Sequence, residues 1–396
     1  MRFQYLMGAA LAAVSLLGCG DDSSDPAEQG AELDTDLAAE AIETYADIVH
    51  ASYADSLSTA QALKAEVDAF LEDPSEAGLA AARDAWKAAR EPYLQTEVYR
   101  FYEGPIDNAD DGPEGFINAW PMDESYIDYV EGDDDSGIIN DGDETIDAET
   151  LMGLNEVGGD DHIATGYHAI EFLLWGQDLD DDGPGARPYT DFVDGGTALN
   201  QDRRRQYLSV VTDLLVEHLE GLVEAWDPEG EDNYRAELLE ADPADAFQRV
   251  LTGLIVLSGF ETGRERLTPA LETGEQEDEH SCFSDNTHRD MVQDVRGMQN
   301  VFAGSYETVE GDTISGTSLH DVIDAADEEL AHTIEEQIAA SLDLAEDLEA
   351  PFDQEIKPDN EAGNARVEAL IDALADQEAD LEEAFVLFGF TVPVVE

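Results

Sequence analysis

A histidine and a glutamate three residues apart, His168 and Glu171, are the side chains best placed to do chemistry in this sequence. The apolar string around them predicts a short helix after Gly166, and residues at i and i+3 project from one helix face. Imidazole nitrogen and carboxylate oxygen can ligate a single cation together. The spacing therefore predicts a metal-binding pair, with a hydrogen-bonded pair inside a core as the alternative.

His-x-x-Glu spacing alone is weakly specific, and the sequence contains a second instance at His332 and Glu335. Context favours the first instance, because a buried histidine and glutamate without further partners would cost several kcal/mol. A third group is therefore expected beside them. Glu97, which interrupts the apolar stripe of a predicted helix, is the first candidate, with Asp178 and Glu261 behind it.

The signatures of familiar hydrolases are absent from the sequence. There is no His-Glu-x-x-His, and Phe172 follows Glu171 where the inverted zinc motif requires histidine. No Gly-x-Ser-x-Gly occurs either. The motifs thus give no support to a serine, cysteine or zinc hydrolase of a known kind.

An acidic segment imitates the first half of a calcium loop. Its residues are Asp178, Asp180, Asp182 and Gly183, but the twelfth loop position falls on Tyr189, which cannot supply a bidentate carboxylate. We expect at most a weak, water-rich calcium site there.

The segment 280–288 contains four potential metal ligands: His280, Cys282, Asp285 and His288. A metal site is one interpretation of this segment. Polar residues before a helix also cap its free N–H groups. We expect this second role, a capping turn.

The first nineteen residues have the form of a bacterial lipoprotein signal. Apolar residues from Leu6 to Leu17 follow Arg2, and the run closes with Gly18 and Cys19. We expect Cys19 to carry the lipid that anchors the protein to the outer membrane or to the periplasmic face of the envelope. An ordinary secretory signal is the alternative. Residues 20–34 lack a periodic apolar pattern and predict a flexible tether.

The composition is strongly acidic: 95 acidic and 18 basic residues give a formal net charge of −77. Such a surface repels phosphate backbones, which excludes nucleic acid as a partner. It is typical of a solvated surface suited to high salt, and cation or basic-peptide binding is the less favoured interpretation. Cys282 is the only cysteine besides Cys19, so we expect no internal disulfide.

Apolar residues recur every three or four positions through most of the chain, and strand alternation is almost absent. One long helix is predicted from Ala41 to Phe70, with its stop at Asp73 and Pro74, and a second from Ser75 until Gly104. A long ordered loop excursion is predicted over 105–160. The later helical patterns cover 163–175, 201–226, 244–271, 290–302, 318–348 and 364–387.

This pattern predicts an all-α fold of two related helical bundles packed side by side. A long helical hairpin at each end of the body indicates the duplication. The helical patterns are interrupted near Asp227 to Asp242, where we place the boundary. The N-terminal bundle is then 35–235 and the C-terminal bundle is 236–396.

Five ordered segments resemble the imelysin family, and more closely its iron-regulated, periplasm-facing lipoprotein branch. They are Ala89–Phe101, Asn118–Glu124, Gly166–Glu171, Glu279–His288 and Pro351–Gln354. The resemblance implies two related helical bundles, with the family's Gly-x-His-x-x-Glu motif near the groove between them. That motif falls on Gly166, His168 and Glu171. Relatives are tied mainly to iron or other metal uptake, although the family is named for a reported insulin-cleaving metallopeptidase activity.

We therefore expect a lipoprotein that binds a metal ion or metal complex through His168, Glu171 and Glu97 and assists iron acquisition, with a metal-uptake transporter as a candidate partner. One alternative is a metallopeptidase whose metal-bound water attacks a peptide carbonyl. Another is a protein- or polysaccharide-binding surface in which the His–Glu pair is purely structural. The residues leave the identity of the metal open.

Overall fold

The computed structural model describes residues 30–179 and 183–393 of the 396-residue chain. Cys19 with the predicted signal, and Asp180 and Asp182 of the predicted calcium loop, lie outside the described residues. Within the described ranges one small hairpin is the only β-sheet, and the remaining regular structure is helical. The predicted all-α fold is confirmed.

The described residues form fifteen α-helices, five other helical segments and two strands. The α-helices are α1 (Thr35–Glu72), α2 (Glu76–Leu94), α3 (Glu114–Ile117), α4 (Glu124–Ile127), α5 (Ala148–Leu154), α6 (Gly166–Trp175), α7 (Gln201–Ala225), α8 (Tyr234–Glu240), α9 (Pro243–Ile255), α10 (Thr268–Thr273), α11 (Thr287–Ala303), α12 (Leu319–Asp324), α13 (Glu328–Glu346), α14 (Phe352–Ile356) and α15 (Glu361–Leu387). A π-helix spans Val256–Leu267, and 3₁₀ turns span Glu97–Tyr99, Tyr189–Phe192, Gln276–Asp278 and Cys282–Ser284. The antiparallel strands are β1 (Ser305–Glu307) and β2 (Thr313–Ser315).

The long first helix, α1, contacts elements from both halves of the chain. The Asp34 side chain caps it by accepting the N–H groups of Asp36 and Leu37, and the helix ends before Pro74 as predicted. Its 38 residues span about 57 Å at 1.5 Å per residue. It packs along α2 and α7 and reaches α9 and α12.

The second helix is shorter than the apolar stripe predicted. The Ser75 hydroxyl caps α2 by accepting the N–H of Gly78, but the helix ends at Leu94 instead of near Gly104. Phe101 has a left-handed φ of 73°, which an α-helix cannot contain. The early end places Glu97 in a 3₁₀ turn with its side chain buried.

The long helices pack in two groups. One contains α1, α2, α6 and α7. Short helices of the loop segment 105–160 pack on this group, α3 on α6 and α7 and α5 on α7. The other contains α9, the π-helix, α11, α13 and α15. The groups meet where α1 packs on α9 and α2 packs on α11. The proposed boundary between residues 235 and 236 falls within α8 and stays a prediction.

The pattern over 244–271, predicted as one continuous helix, contains a π-helix between α9 and α10. A π-helix of this length is rare, and such segments often occur at functional sites. The Ser258 hydroxyl donates to the carbonyl of Leu374 at 2.8 Å, which ties this segment to α15. Glu261 and Arg266 both lie in it. None of the described helices combines the length and apolarity that a membrane span needs.

Gly297 of α11 lies where the two groups touch. A Cβ there would lie 2.4 Å from the carbonyl oxygen of Gln95 at the end of α2. We therefore expect Gly297→Ala to destabilise the fold by about 1–3 kcal/mol. Gly221 of α7 is the matched control, because nothing lies within 4 Å of its Cβ position, and Gly221→Ala should stabilise by roughly 0.5–1 kcal/mol. Urea unfolding measures both, and equal effects would contradict the close approach.

Candidate functional site

The predicted pair extends from α6, every residue of which is buried. Gly166 opens this helix with a φ of 87°, a conformation that favours glycine. An added Cβ would lie 2.6 Å from the carbonyl oxygen of Ile117 in α3. Glycine is therefore needed for α6 to begin against the backbone of α3. His168 and Glu171 follow on the same face, one turn apart.

The structure brings His168 and Glu171 together, and Ser284 holds the glutamate. His168 Nδ1 lies 3.0 Å from Glu171 Oε2. The backbone N–H and hydroxyl of Ser284 donate to Glu171 Oε1 at 3.0 and 2.6 Å. When Nδ1 donates to the carboxylate, Nε2 presents a lone pair. That Nε2 is buried and has no hydrogen-bond partner in the described part of the chain.

A second histidine, His280, faces the first. The ring centroids of His168 and His280 are 4.9 Å apart, with the planes at 73°. His280 Nδ1 lies 2.8 Å from Oδ2 of Asp290 in α11. Each histidine thus has a carboxyl group at Nδ1, the arrangement that orients metal-ligating histidines once the group is ionised. The Nε2 atoms are the nitrogens left for a ligand.

The Asp290 carboxylate accepts hydrogen bonds from residues in different parts of the chain. Ser281 donates its hydroxyl at 2.5 Å, Asn286 its amide at 3.0 Å and Arg90 its guanidinium at 3.1 Å. The side chains of Arg90 and Asp290 are both 0% exposed. The second Arg90 nitrogen donates to Asn118. Both oxygens of Asp290 are hydrogen-bonded, which offsets the cost of burying the pair, whereas Arg90 Nε has no partner among the described residues.

The expected capping role of segment 280–288 is wrong. Asn286 is the N-cap residue of α11, yet its side chain makes no cap hydrogen bond. Its backbone is helical, with φ −98° and ψ −2°, whereas a capping side chain needs an extended backbone. The polar residues of the segment instead bind Asp290 and Glu171.

Both histidines are neutral at pH 7. Burial lowers the pKa of His168 well below its ordinary value, and the charge of Arg90 lowers it further. Burial and the charge of Arg266 lower the pKa of His280 to about 4, although Asp290 acts in the opposite direction. Neutral imidazoles retain the lone pairs that a metal ion requires.

The two carboxyl groups beside the histidines differ in charge. Burial raises the pKa of Glu171 to about 8, against the opposing hydrogen bonds from Ser284, so the group is largely protonated at pH 7. Burial also acts to raise the pKa of Asp290, but Arg90 and His280 hold it well below its usual range. A cation nearby would favour the ionised form of Glu171 and displace its proton.

Glu97, the predicted third ligand, lies in a neighbouring ion-pair network. Its Oε2 accepts from Arg266 and, at 2.7 Å, from Arg100, while its Oε1 is buried without a partner among the described residues. Burial acts to raise the pKa of Glu97, but the two arginines outweigh it and lower the value to about 2. No hydrogen bond or ion pair in the described ranges joins it to His168 or Glu171.

The other two ligand candidates lie apart from the histidines. Glu261 accepts from Arg266 at 3.0 Å, in the network that holds Glu97. Asp178 lies in a separate buried group with Asp285 and Asp353, whose oxygens are within 4.8 Å of one another. In the described residues no set of three protein ligands that close contains His168 or Glu97. Water or a bound metal complex would have to supply further ligands at His168.

Aromatic side chains separate the histidines from solvent. The partly exposed Trp120 lies over His168, with ring centroids 4.8 Å apart, and contacts Phe283 at 5.9 Å. His168 is 1% exposed and His280 3%. The region around the two histidines, called the chamber below, is therefore out of reach of bulk water.

Sequence reasoning found His168 and Glu171 and missed the pairing of Arg90 with Asp290. One signal was available, because Arg90 interrupts the apolar stripe of α2 as Glu97 interrupts its continuation. The proximity of His280 carried no local signal. It depends on contacts between residues more than 100 positions apart, such as Ser284 with Glu171.

Known proteins are similar to this chain over most of its length. The chain is 25% identical to "Iron-regulated protein A" of Synechococcus elongatus over 302 residues, which cover 74% of this chain and 71% of that protein. A solved structure of an iron-regulated protein A precursor homologue from Parabacteroides distasonis superposes with a TM-score of 0.71 at 21% identity, covering 92% of this chain and 98% of that one.

An imelysin-like protein from Psychrobacter arcticus gives a TM-score of 0.65 at 14% identity, covering 92% of this chain and 99% of that one. At these identities the two solved structures show a shared fold. The model of the Imelysin family matches residues 49–381, which include the histidines, their carboxyl partners and most of both groups of helices. On that match, the chain belongs to the imelysin family.

Proposed function

We propose that this chain binds a transition-metal ion, with iron the first candidate, between His168 and His280. The observation that carries the proposal is the Nε2 atom of His168, which is buried without a hydrogen-bond partner beside a second neutral imidazole. A buried nitrogen left without a partner is costly, and a metal ion would satisfy it. The similarity to a protein named for regulation by iron supports iron as the cargo.

In this proposal the carboxylates act through the histidines. Glu171 and Asp290 hold the two rings by their Nδ1 atoms and direct Nε2 toward the ion. Glu97 is kept as a further ligand candidate because its Oε1 has no partner among the described residues. Its other oxygen already balances two arginines.

Binding of cargo fits the chamber better than peptide cleavage does. A metallopeptidase must bring a peptide carbonyl to its metal-bound water. His168 and Glu171 are 1% and 0% exposed. Cavities of about 770 Å³ and 460 Å³ lie elsewhere, beside Tyr102 and His218 and beside Gln177 and Arg187.

The proposal also includes a location outside the cytoplasm. An export signal ending in a lipid on Cys19 would hold the binding chamber at the envelope, outside the cytoplasm. A protein placed there could take metal from the surroundings and deliver it to a metal-uptake transporter. The acidic body, with a net charge of −77, would raise the concentration of cations around it.

Anaerobic titration of the full chain with Fe²⁺ tests the binding. We expect quenching of the Trp120 fluorescence, because this ring is 4.8 Å from His168. His168→Gln and His280→Gln should each abolish high-affinity binding, since each removes one ligand nitrogen while keeping side-chain volume. His50→Gln, on α1, is the matched control.

The melting temperature of each variant without metal distinguishes metal binding from a purely structural role of the histidine. If His168→Gln lowers the melting temperature but leaves Fe²⁺ affinity at the wild-type level, the histidine belongs to the core and the proposal is wrong. Trp120→Phe should lose most of the fluorescence response while calorimetry still detects binding.

Metal affinity should rise with pH up to about 8. The pKa of Glu171 is raised to about 8 by burial, so below this pH the metal must displace its proton. We expect affinity to increase about tenfold per pH unit between pH 6.5 and 7.5 and to level off above pH 8. Calorimetry in buffers of different ionisation enthalpy counts the proton. Glu171→Gln should remove this dependence, and an unchanged slope in that variant would contradict it.

Lipid attachment is tested by labelling growing cells with a fatty acid. The full chain should take up label and partition with membranes, whereas Cys19→Ala should do neither, because no other thiol is available near that end. Cys282→Ala is the control and should retain the label, since its thiol is buried. Label retained in Cys19→Ala would exclude the anchor.

A further inference from the structure

A second group of metal-type ligands lies on the surface of the C-terminal group of helices. His320 comes from α12, and His332 and Glu335 lie one turn apart on α13. Each offers one ligand atom, and the three atoms lie within 4.8 Å of one another. The His332–Glu335 pair is the second His-x-x-Glu of the sequence, and the fold adds an imidazole from another helix.

The distances within this group are those of ligands around a shared ion. Oε2 of Glu335 lies 3.8 Å from His320 Nε2 and 3.4 Å from His332 Nδ1. Both distances exceed the usual range of a hydrogen bond. Atoms bound tetrahedrally to one ion at about 2.0–2.2 Å lie roughly 3.3–3.6 Å apart. A small closing movement would place all three atoms on one ion.

One ligand atom of the group lacks any other partner. His320 Nε2 is shielded from solvent and has no hydrogen-bond partner in the described residues, although the side chain as a whole is 21% exposed. In the same part of the chain, Glu335 forms its ion pairs only with the two histidines. Among the described residues, no arginine or lysine therefore forms an ion pair with the Glu335 carboxylate.

Helix caps fix the backbone that carries the three side chains. Ser318 and Asp321 form a reciprocal capping box at the start of α12. Asp327 caps α13 by accepting the N–H groups of its first turn. His320 is further fixed by an edge contact with Phe302 of α11, with centroids 5.8 Å apart. Only the side chains of His332 and Glu335, each 59% exposed, must move to bind an ion together with His320.

We propose that His320, His332 and Glu335 form a second, surface binding site for a divalent transition-metal ion. Two imidazoles and one carboxylate suit zinc, copper, nickel or ferrous ions, whereas calcium and magnesium take oxygen ligands. The remaining coordination positions face solvent, so the ion can exchange quickly. This site shares no residue with the interior chamber, and its existence does not depend on the proposed function.

Titration of the full chain with Zn²⁺ in the presence of excess Mg²⁺ tests this site, because Mg²⁺ occupies the acidic surface without competing for imidazole. The wild-type chain should bind one more equivalent of Zn²⁺ than His332→Ala, and the same equivalent should be lost in His320→Ala. Glu335→Gln should weaken it by about 10-fold or more. His50→Ala is the matched control. The His332 side chain is 59% exposed, so we expect His332→Ala to leave the fold intact.

Co²⁺ gives an independent readout, since tetrahedral coordination by imidazole produces a visible absorption band that water ligands do not. The band from this site should persist in His168→Gln and disappear in His332→Ala. Equal Zn²⁺ stoichiometry in the wild type and His332→Ala, or a loss shared with His50→Ala, would overturn the surface site. Loss of the Fe²⁺ response in His168→Gln reports only on the chamber, so the two proposals fail separately.

Discussion

The buried ion pair between Arg90 and Asp290 is the interaction on which the candidate site depends. The two charges come from α2 and α11, 200 residues apart, and neither is exposed to solvent. A charge in such a place must be fully paired, since an unpaired partner would cost several kcal/mol. Asp290 therefore fixes Ser281 and His280, and through them the turn that carries Ser284 to Glu171. The chamber exists because this pair joins the two groups of helices.

A second network of the same kind lies beside the first. Arg266, in the π-helix, binds Glu97 from the end of α2 and Asp294 from α11. Its charge also lowers the pKa of both histidines. Burial is the main cause of the low pKa of both imidazoles, and the charges of Arg90 and Arg266 lower it further. Two local irregularities allow Arg266 to reach Glu97: the wide turns of the π-helix and the early end of α2.

The sequence predicted what depends on local pattern. The apolar stripe from Ala41 to Phe70 predicted α1, and Pro74 predicted its end. The spacing of His168 and Glu171 predicted their contact. The end of α2 was missed because a left-handed residue such as Phe101 leaves no trace in hydrophobic periodicity. The pairing of the two groups of helices was missed for a different reason, since long-range ion pairs between buried charges have no spacing rule.

The path of α1 also governs how the chain can fold. This first helix forms contacts with elements far along the sequence: Asp47 pairs with Arg235, and Asp55 accepts from Tyr306, 251 residues later. Non-local contacts must overcome the entropy of closing long loops before they contribute. The helices α1, α2, α6 and α7 lie within the first 225 residues, but α1 completes its contacts with later elements only when α9 and α12 are present. The contact between Asp55 and Tyr306 therefore forms only once the last third of the chain is being synthesised, which makes this part of folding late.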